Sequence, residues 1–263
     1  MNKIVVFLNA DSESGMVLDS ALNLAALFKV EIEICQLVNA PVNWDRLSRS
    51  ARDKFPTAKQ AMFEARNKLD TILANVREKG VKAKKSFYYL DAQQDITELA
   101  WGINDLVIVE QKFIANQHTK RIIPTLFALN SAILVISTVF NPESLNDIVL
   151  TSDFNSLKPQ TSQFITTFYN HFQFNLNLVF INTIKEQQNS GISIHNMKNI
   201  IAENGFSNTR ISIFYSDLKT QGAQCFADLK GGDFIIMENN SNLDPNECKA
   251  LEVPLLILNK KND

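Results

Sequence analysis

The residues best equipped for ligand chemistry in this chain are His118-Thr119-Lys120-Arg121, three basic side chains and a hydroxyl in a loop without glycine. Basic side chains near a helix start run against the helix dipole unless an anion sits between them. The run could therefore hold a phosphate-bearing group with side chains. Helix onset as late as Pro124 weakens the dipole's part, and a solvated basic loop is the plainer reading. Asn9 and Asp153 follow two apolar runs, at the strand end where open α/β sheets take ligands. Both residue types also suit a strand-to-helix turn.

Other chemistry finds less support. His171 and His195 stand apart with no metal-ligand spacing. Cys35, Cys225 and Cys248 are odd in number, scattered and form no C-x-x-C, so neither a disulfide frame nor a zinc site is expected. Cys35 lies in an alternating apolar run and reads as a small buried hydrophobe. Lys82, Lys84 and Lys85 beside Phe87, Tyr88 and Tyr89 form one weak basic edge, and the aromatics fit an ordinary strand. No H-E-x-x-H, G-x-S-x-G, paired-carboxylate or Ser-His-Asp order occurs.

The elements that would position these residues alternate. Ile4 to Leu8 is a continuous apolar run, as in strands buried on both faces. A helical stripe from Met16 to Phe28 follows, then a strand from Val30 to Val38 ended by Pro41. Asn43 to Pro56 is a polar excursion or short helix. Thr57 to Lys79 reads as a long helix with Thr57 as cap and Gly80 as stop. Lys84–Leu90 and Leu106–Val109 are strands around a short helix, Asp91 to Trp101. After a polar loop, Pro124–Leu129 reads as helix and Ala132–Ile136 as strand. Asn141-Pro142-Glu143-Ser144 looks like a linker, after which the pattern restarts. Strands are expected at 147–150, 175–181, 209–215, 234–237 and 255–258, with helices at 159–171, 193–204 (Gly205 as stop) and 219–229. Phe164, Phe168 and Phe172 mark one helix face and read as core. DLVIVE at Asp105 parallels DFIIME at Asp233, and SAILVI near Ile133 parallels VPLLIL near Leu255. A repeat this long indicates domain duplication rather than a solenoid.

Composition sets the class. At 45% hydrophobic and 21% charged over 263 residues, the chain can fill two globular cores. A net charge of −2 gives no general reason to expect nucleic acid or an anionic membrane as partner. The opening MNKIVVFLNADSE is too weakly basic and too short in apolar run for a signal peptide, and no apolar stretch reaches membrane-spanning length, so a cytoplasmic location is expected.

Each half resembles a universal stress protein domain. That family opens with a strand ending in Asp; here KIVVFLN-A-D-S puts Asn9 at that position and DIVLTSD-F-N puts Asp153 there. It closes with a DLIV-like strand, a glycine-rich loop, a helix and an apolar strand, matched by DLVIVE…NSAILVI and DFIIME…EVPLLIL. The resemblance covers nearly the whole chain except Asn43 to Pro56. It implies a doubly wound fold, often dimeric, with a nucleotide cleft at the strand ends. Thr119 and Lys120 align with the family's G-[ST] step. ATP-binding members carry G-x-x-G before that step, whose glycines let the backbone nest phosphates. Here no glycine lies between Asp105 and Ser131 and none follows Gly232; Asp244 and Glu247 in the second link would repel phosphate, and that link is too short for the usual last helix.

The reading is two tandem α/β domains, 1–140 and 146–263, each a doubly wound, parallel five-stranded sheet, the second shortened near its C-terminus. The expected function is a non-catalytic binding or regulatory module in stress response. No cofactor is expected, with ATP and AMP disfavoured. Expected associations are an intrachain pseudo-dimer of the two domains, with the unpaired edge of each final strand as a docking surface, a homodimer as an option, and an unidentified protein partner. One alternative is a nucleotide-binding regulator using Asn9, Val38 and His118 to Arg121. Another is an enzyme on a nucleotide-like substrate with Asp153 or Asp11 as base.

Overall fold

The computed structural model describes residues 1–8, 15–41, 44–89, 105–115, 123, 126–127, 131–155, 157, 159–172, 174–183, 190–239, 247–248 and 251–259. The chain forms two compact units, Met1–Val109 and Glu110–Asp263. These units follow packing, whereas the expected boundaries at 140 and 146 follow the restart of the sequence pattern.

In the first half, β1 (Lys3–Leu8), β2 (Glu31–Val38), β3 (Ala83–Tyr89) and β4 (Leu106–Glu110) lie in the order β3-β2-β1-β4, and the β1–β2, β1–β4 and β2–β3 pairings are parallel. Ile4, Val5, Val6 and Leu8 are fully buried, so β1 presents apolar side chains to both faces, as a parallel strand between helical layers must. Helices α1 (Gly15–Phe28) and α3 (Pro56–Glu78) supply cover, and α2 (Arg49–Arg52) is a single turn. Helix α3 buries Ala58, Met62, Ala65, Leu69, Leu73 and Val76, one stripe at helical spacing. Its start differs from expectation: Pro56 occupies the first turn, where a missing N–H costs nothing, and Phe55 rather than Thr57 is the cap residue. Gly80 (φ 78°) ends it as expected.

The second unit contains α4 (Gln111–Ala115), β5 (Ala132–Ile136), β6 (Asp147–Thr151), α5 (Pro159–His171), β7 (Asn175–Thr183), α6 (Ser190–Asn204), β8 (Thr209–Ser216), α7 (Lys219–Lys230), β9 (Phe234–Asn239) and β10 (Leu255–Asn259). The strand order is β5-β10-β9-β6-β7-β8. All these pairings are parallel except β10 with β5, which is antiparallel from Leu255↔Val135 to Ile257↔Ile133. This corrects the expectation that the final strands end in free edges: β10 is paired with β9 on one side and β5 on the other. The segment after β4, read as loop, begins with α4, because Phe113 and Ile114 have a core to enter. The phenylalanine face behaves as expected: Phe168 stacks on Phe164 at 4.5 Å and meets Phe234 at 6.4 Å. The expected helix 91–101, and most of that at 124–129, lie outside the described residues.

The register repeats. Ile4↔Ile32 in the first unit corresponds to Ile148↔Leu176 in the second, an offset of 144 (148 less 4) at both strands. Ile4↔Leu106 likewise corresponds to Ile148↔Phe234. Between β2 and β3 the first half takes 51 residues (83 less 32) where the second takes 33 (209 less 176) between β7 and β8. The surplus of 18 lies in the 39–55 connection and in α3, which has 23 residues against 15 in α6.

Helix α7 sits so close to its sheet that a Cβ on Gly222 would lie 2.7 Å from Ile181 Cγ2 and 2.8 Å from Ser216 Cβ. Gly222→Ala should therefore destabilise by about 1–3 kcal/mol despite alanine's helix preference, lowering the urea midpoint; an unchanged midpoint would contradict this packing. Burial raises the Cys35 thiol to about 12 and Cys248 is buried, whereas Cys225 is exposed. A thiol reagent at mildly alkaline pH should thus label Cys225 rapidly and the other two only on unfolding.

Candidate functional site

In a doubly wound sheet the ligand crevice opens at the C-terminal strand ends where the strand order reverses. In the second unit that place is between β6 and β9. There Thr151 is followed by Ser152, whose hydroxyl donates to Glu238 Oε2 at 2.5 Å and accepts the Phe154 amide at 3.2 Å. Ser152 and Glu238 are both buried. A carboxylate and a hydroxyl from the two strand ends thus meet across the crevice. The chain then turns through Phe154 in the left-handed region (φ 54°), fully buried. A non-glycine residue held there carries strain that its surroundings must offset.

Strand ends in the first half of the sequence also carry polar groups. Gln36, buried in β2 two residues before its end, donates from Nε2 to the Leu8 carbonyl at the end of β1 (3.2 Å). Glu110 is the last residue of β4 and the repeat counterpart of Glu238. Burial raises the Glu110 carboxyl above its ordinary value, with Lys112 pulling the other way. The acidic residues that open these strands serve the opposite end: Asp233 Oδ2 accepts the Asn146 and Asp147 amides at 2.8 and 3.1 Å, and Asp105 lies 3.8 Å from Lys3 Nζ.

Of the residues singled out from sequence, Asn9, Asp11, His118, Thr119, Lys120 and Arg121 lie outside the described residues, as does Asp244. Val38 is buried in a cluster with Ala40, Trp44, Ala58, Met62, Ala65 and Tyr89. Asp153 Oδ1 accepts the Asn155 amide at 3.1 Å, the geometry of an Asx turn. Glu247 Oε2 takes a hydrogen bond from Thr220 Oγ1 at 2.7 Å. His195 Nε2 lies 3.3 Å from Asn199 Nδ2, and His171 Nδ1 lies 2.8 Å from the Thr167 carbonyl oxygen, a within-helix contact. Among the described residues no three His, Cys, Asp or Glu side chains are grouped as metal ligands. No helix of the described residues is long and apolar enough to cross a membrane.

Sequence reasoning passed over Ser152 and the paired Glu110 and Glu238. The signal was present: both repeat strands, DLVIVE and DFIIME, end in glutamate where the resembled pattern leads into a glycine loop. It also passed over a cleft of about 690 Å³ in the first unit, between the 44–53 excursion and α3, and one of about 360 Å³ in the second, between the Phe154 turn and α6.

Two outcomes follow from the strand ends. Ser152→Ala removes one donor to Glu238 and the side-chain acceptor of the Phe154 amide. It should lower unfolding free energy by about 1–3 kcal/mol in denaturant titration; a loss below measurement error would contradict the role given to this bond. The folded-state pKa of Glu110 is raised, so the native state holds its proton more firmly. Its stabilising contribution is present below the ordinary carboxylate range and is lost as pH rises through the folded value. Glu110→Gln should raise Tm relative to the natural chain at neutral pH, with the difference vanishing near about pH 4; a pH-independent difference would contradict this.

No known family profile matches the chain, and no curated protein matches it. Solved structures do. A universal stress protein from Archaeoglobus fulgidus superposes with a TM-score of 0.68 at 14% identity, over 98% of this chain and 97% of that one. A putative universal stress protein from Pseudomonas aeruginosa UCBPP-PA14 gives 0.61 at 14% identity, over 98% and 93%. A functionally unknown protein from Pseudomonas aeruginosa PAO1 gives 0.61 at 13% identity, over 98% and 92%. At these identities the likeness concerns architecture, and nearly the full length of both partners takes part. The chain has the α/β fold seen in universal stress proteins.

Proposed function

We propose that the protein is a non-catalytic binding or regulatory module of the stress-protein kind that does not take ATP at its strand-end crevices. The observation that carries this reading is the Ser152–Glu238 hydrogen bond between the ends of β6 and β9. A phosphate chain entering there would meet a carboxylate in a poorly hydrated place, where like charges repel strongly. It would also find no glycine loop after Glu238. Glu110 puts a carboxyl at the end of β4. Asp153, the base an enzyme reading would use, is engaged in its own turn.

The intrachain pseudo-dimer belongs to the same reading. The last strand of the second repeat, β10, pairs antiparallel with β5, the last strand of the first. Like ends meeting in antiparallel fashion is what a two-fold relation between repeats requires. This supports a chain that supplies internally what separate subunits would otherwise supply. Cytoplasmic residence and a protein partner complete the proposal.

Thermal unfolding with ATP, AMP and a cyclic nucleotide tests it. A ligand at about 100 times its Kd adds about 2.7 kcal/mol. The expected outcome is no shift at millimolar nucleotide. A clear shift with ATP would overturn the reading.

A further inference from the structure

The surplus residues of the first half build a surface that the second half has no segment for. Trp44 is its anchor, buried with Val38, Met62 and Tyr89. Arg52 clamps the excursion: its Nε donates to the Trp44 carbonyl at 3.1 Å and its Nη2 to the Asp45 carbonyl at 2.9 Å, and its guanidinium lies 5.7 Å from the centre of the indole ring. Asp45 fastens the other side, accepting from Tyr89 Oη at 2.5 Å and from Arg66 Nη2 at 2.8 Å. That bond and burial raise the Tyr89 hydroxyl well above its ordinary value, burial being the larger cause. The excursion is therefore held to α3 by buried and bonded groups and is pre-shaped.

What it encloses is a cleft of about 690 Å³ bordered by Arg49, Arg52, Lys59 and Arg66, with one carboxylate, Asp53, among the described lining residues. Asp53 is taken by Lys59 at 2.5 Å, a half-exposed pair of small energetic weight. The Arg49 side chain has no hydrogen bond or ion pair among the described residues. Phe63, 62% exposed on α3, lines the same cleft and contributes little to the core at that exposure. Four cations and an exposed phenylalanine lining one cleft, on a chain of net charge −2, are a local reversal of sign combined with an apolar anchor point. Arginine and aromatic side chains are those enriched at binding hot spots. The walls are largely solvent-exposed, so the cleft suits an extended segment laid along it better than a small molecule that must be enclosed.

We propose that this cleft docks an acidic segment of a partner protein, its carboxylates meeting Arg49 and the neighbouring cations and an apolar side chain packing on Phe63. This rests on the reading of the protein as a binding module and names the surface and the partner's chemistry.

The test uses the full chain and a short fluorescein-labelled peptide of glutamates with paired phenylalanines at its centre, followed by fluorescence anisotropy. Saturable binding is expected, weakened about tenfold by Arg49→Glu and by Phe63→Ser and weakened by added salt. Both side chains are exposed, and unchanged thermal unfolding of the variants would show that the fold persists. No saturable binding, equal binding by the variants, or equal binding of a peptide with serines for the phenylalanines would overturn the proposal. So would displacement by inorganic phosphate at matched concentration, which would make this a small-anion site. A failure here with no ATP shift sinks the cleft alone, whereas an ATP shift sinks the functional reading whatever the peptide does.

Discussion

A stretch of strand whose consecutive side chains are buried must also have both rows of its backbone groups paired, because an orphaned buried amide or carbonyl costs as much as a lost hydrogen bond. Strand β10 is under that constraint: Leu255, Leu256 and Ile257 are fully buried. Strand β9 satisfies one row and β5 the other. Much else follows from holding β10 there. The chain entering it is tied by Gln111 Nε2, which donates to the Cys248 and Leu251 carbonyls at 3.3 and 2.9 Å. Gln224 Oε1 accepts the Glu252 amide at 3.2 Å. Helices α4 and α7 thus both serve the approach to one strand. The same pairing draws β5 into the second compact unit and moves the spatial division to Val109.

The strand ends carry the functional argument because the two ends of each acidic strand do different work. At the N-terminal ends, Asp105 and Asp233 fasten neighbouring strands through Lys3 and through the Asn146 and Asp147 amides. At the C-terminal ends, Glu110 and Glu238 occupy the place where such sheets leave room for a ligand. The Glu238 carboxylate has a buried serine for partner. An anion-binding crevice needs donors aimed outward; this one turns its donor inward onto a carboxylate of its own.

Most of the architecture was legible because parallel strands buried on both faces leave a continuous apolar run, and Ile4–Leu8 and Leu178–Ile181 are such runs. The Asp105 and Asp233 strands announced the repeated strand registers directly. The antiparallel β5–β10 pairing was not legible, since an apolar run states that a strand is buried but not which strand lies beside it. The Thr57 cap failed because proline at the first helical position outweighs a hydroxyl one residue later. At the strand ends the turn role of Asp153 was readable from its type. The Ser152–Glu238 bond joins residues 86 apart in the chain, and no local pattern announces it. Nor did the mixed charges of 43–56 disclose a cleft, because Arg49 and Arg52 gain their meaning only from α3 opposite.

The claim on which this account turns is that the strand-end crevices hold no nucleotide. Native mass spectrometry of the full chain, purified gently without added nucleotide, tests it most directly. The expected result is the mass of the bare polypeptide. A bound species with the mass of ATP or AMP, lost on denaturation, would contradict it and would require the Ser152–Glu238 bond to open for the ligand.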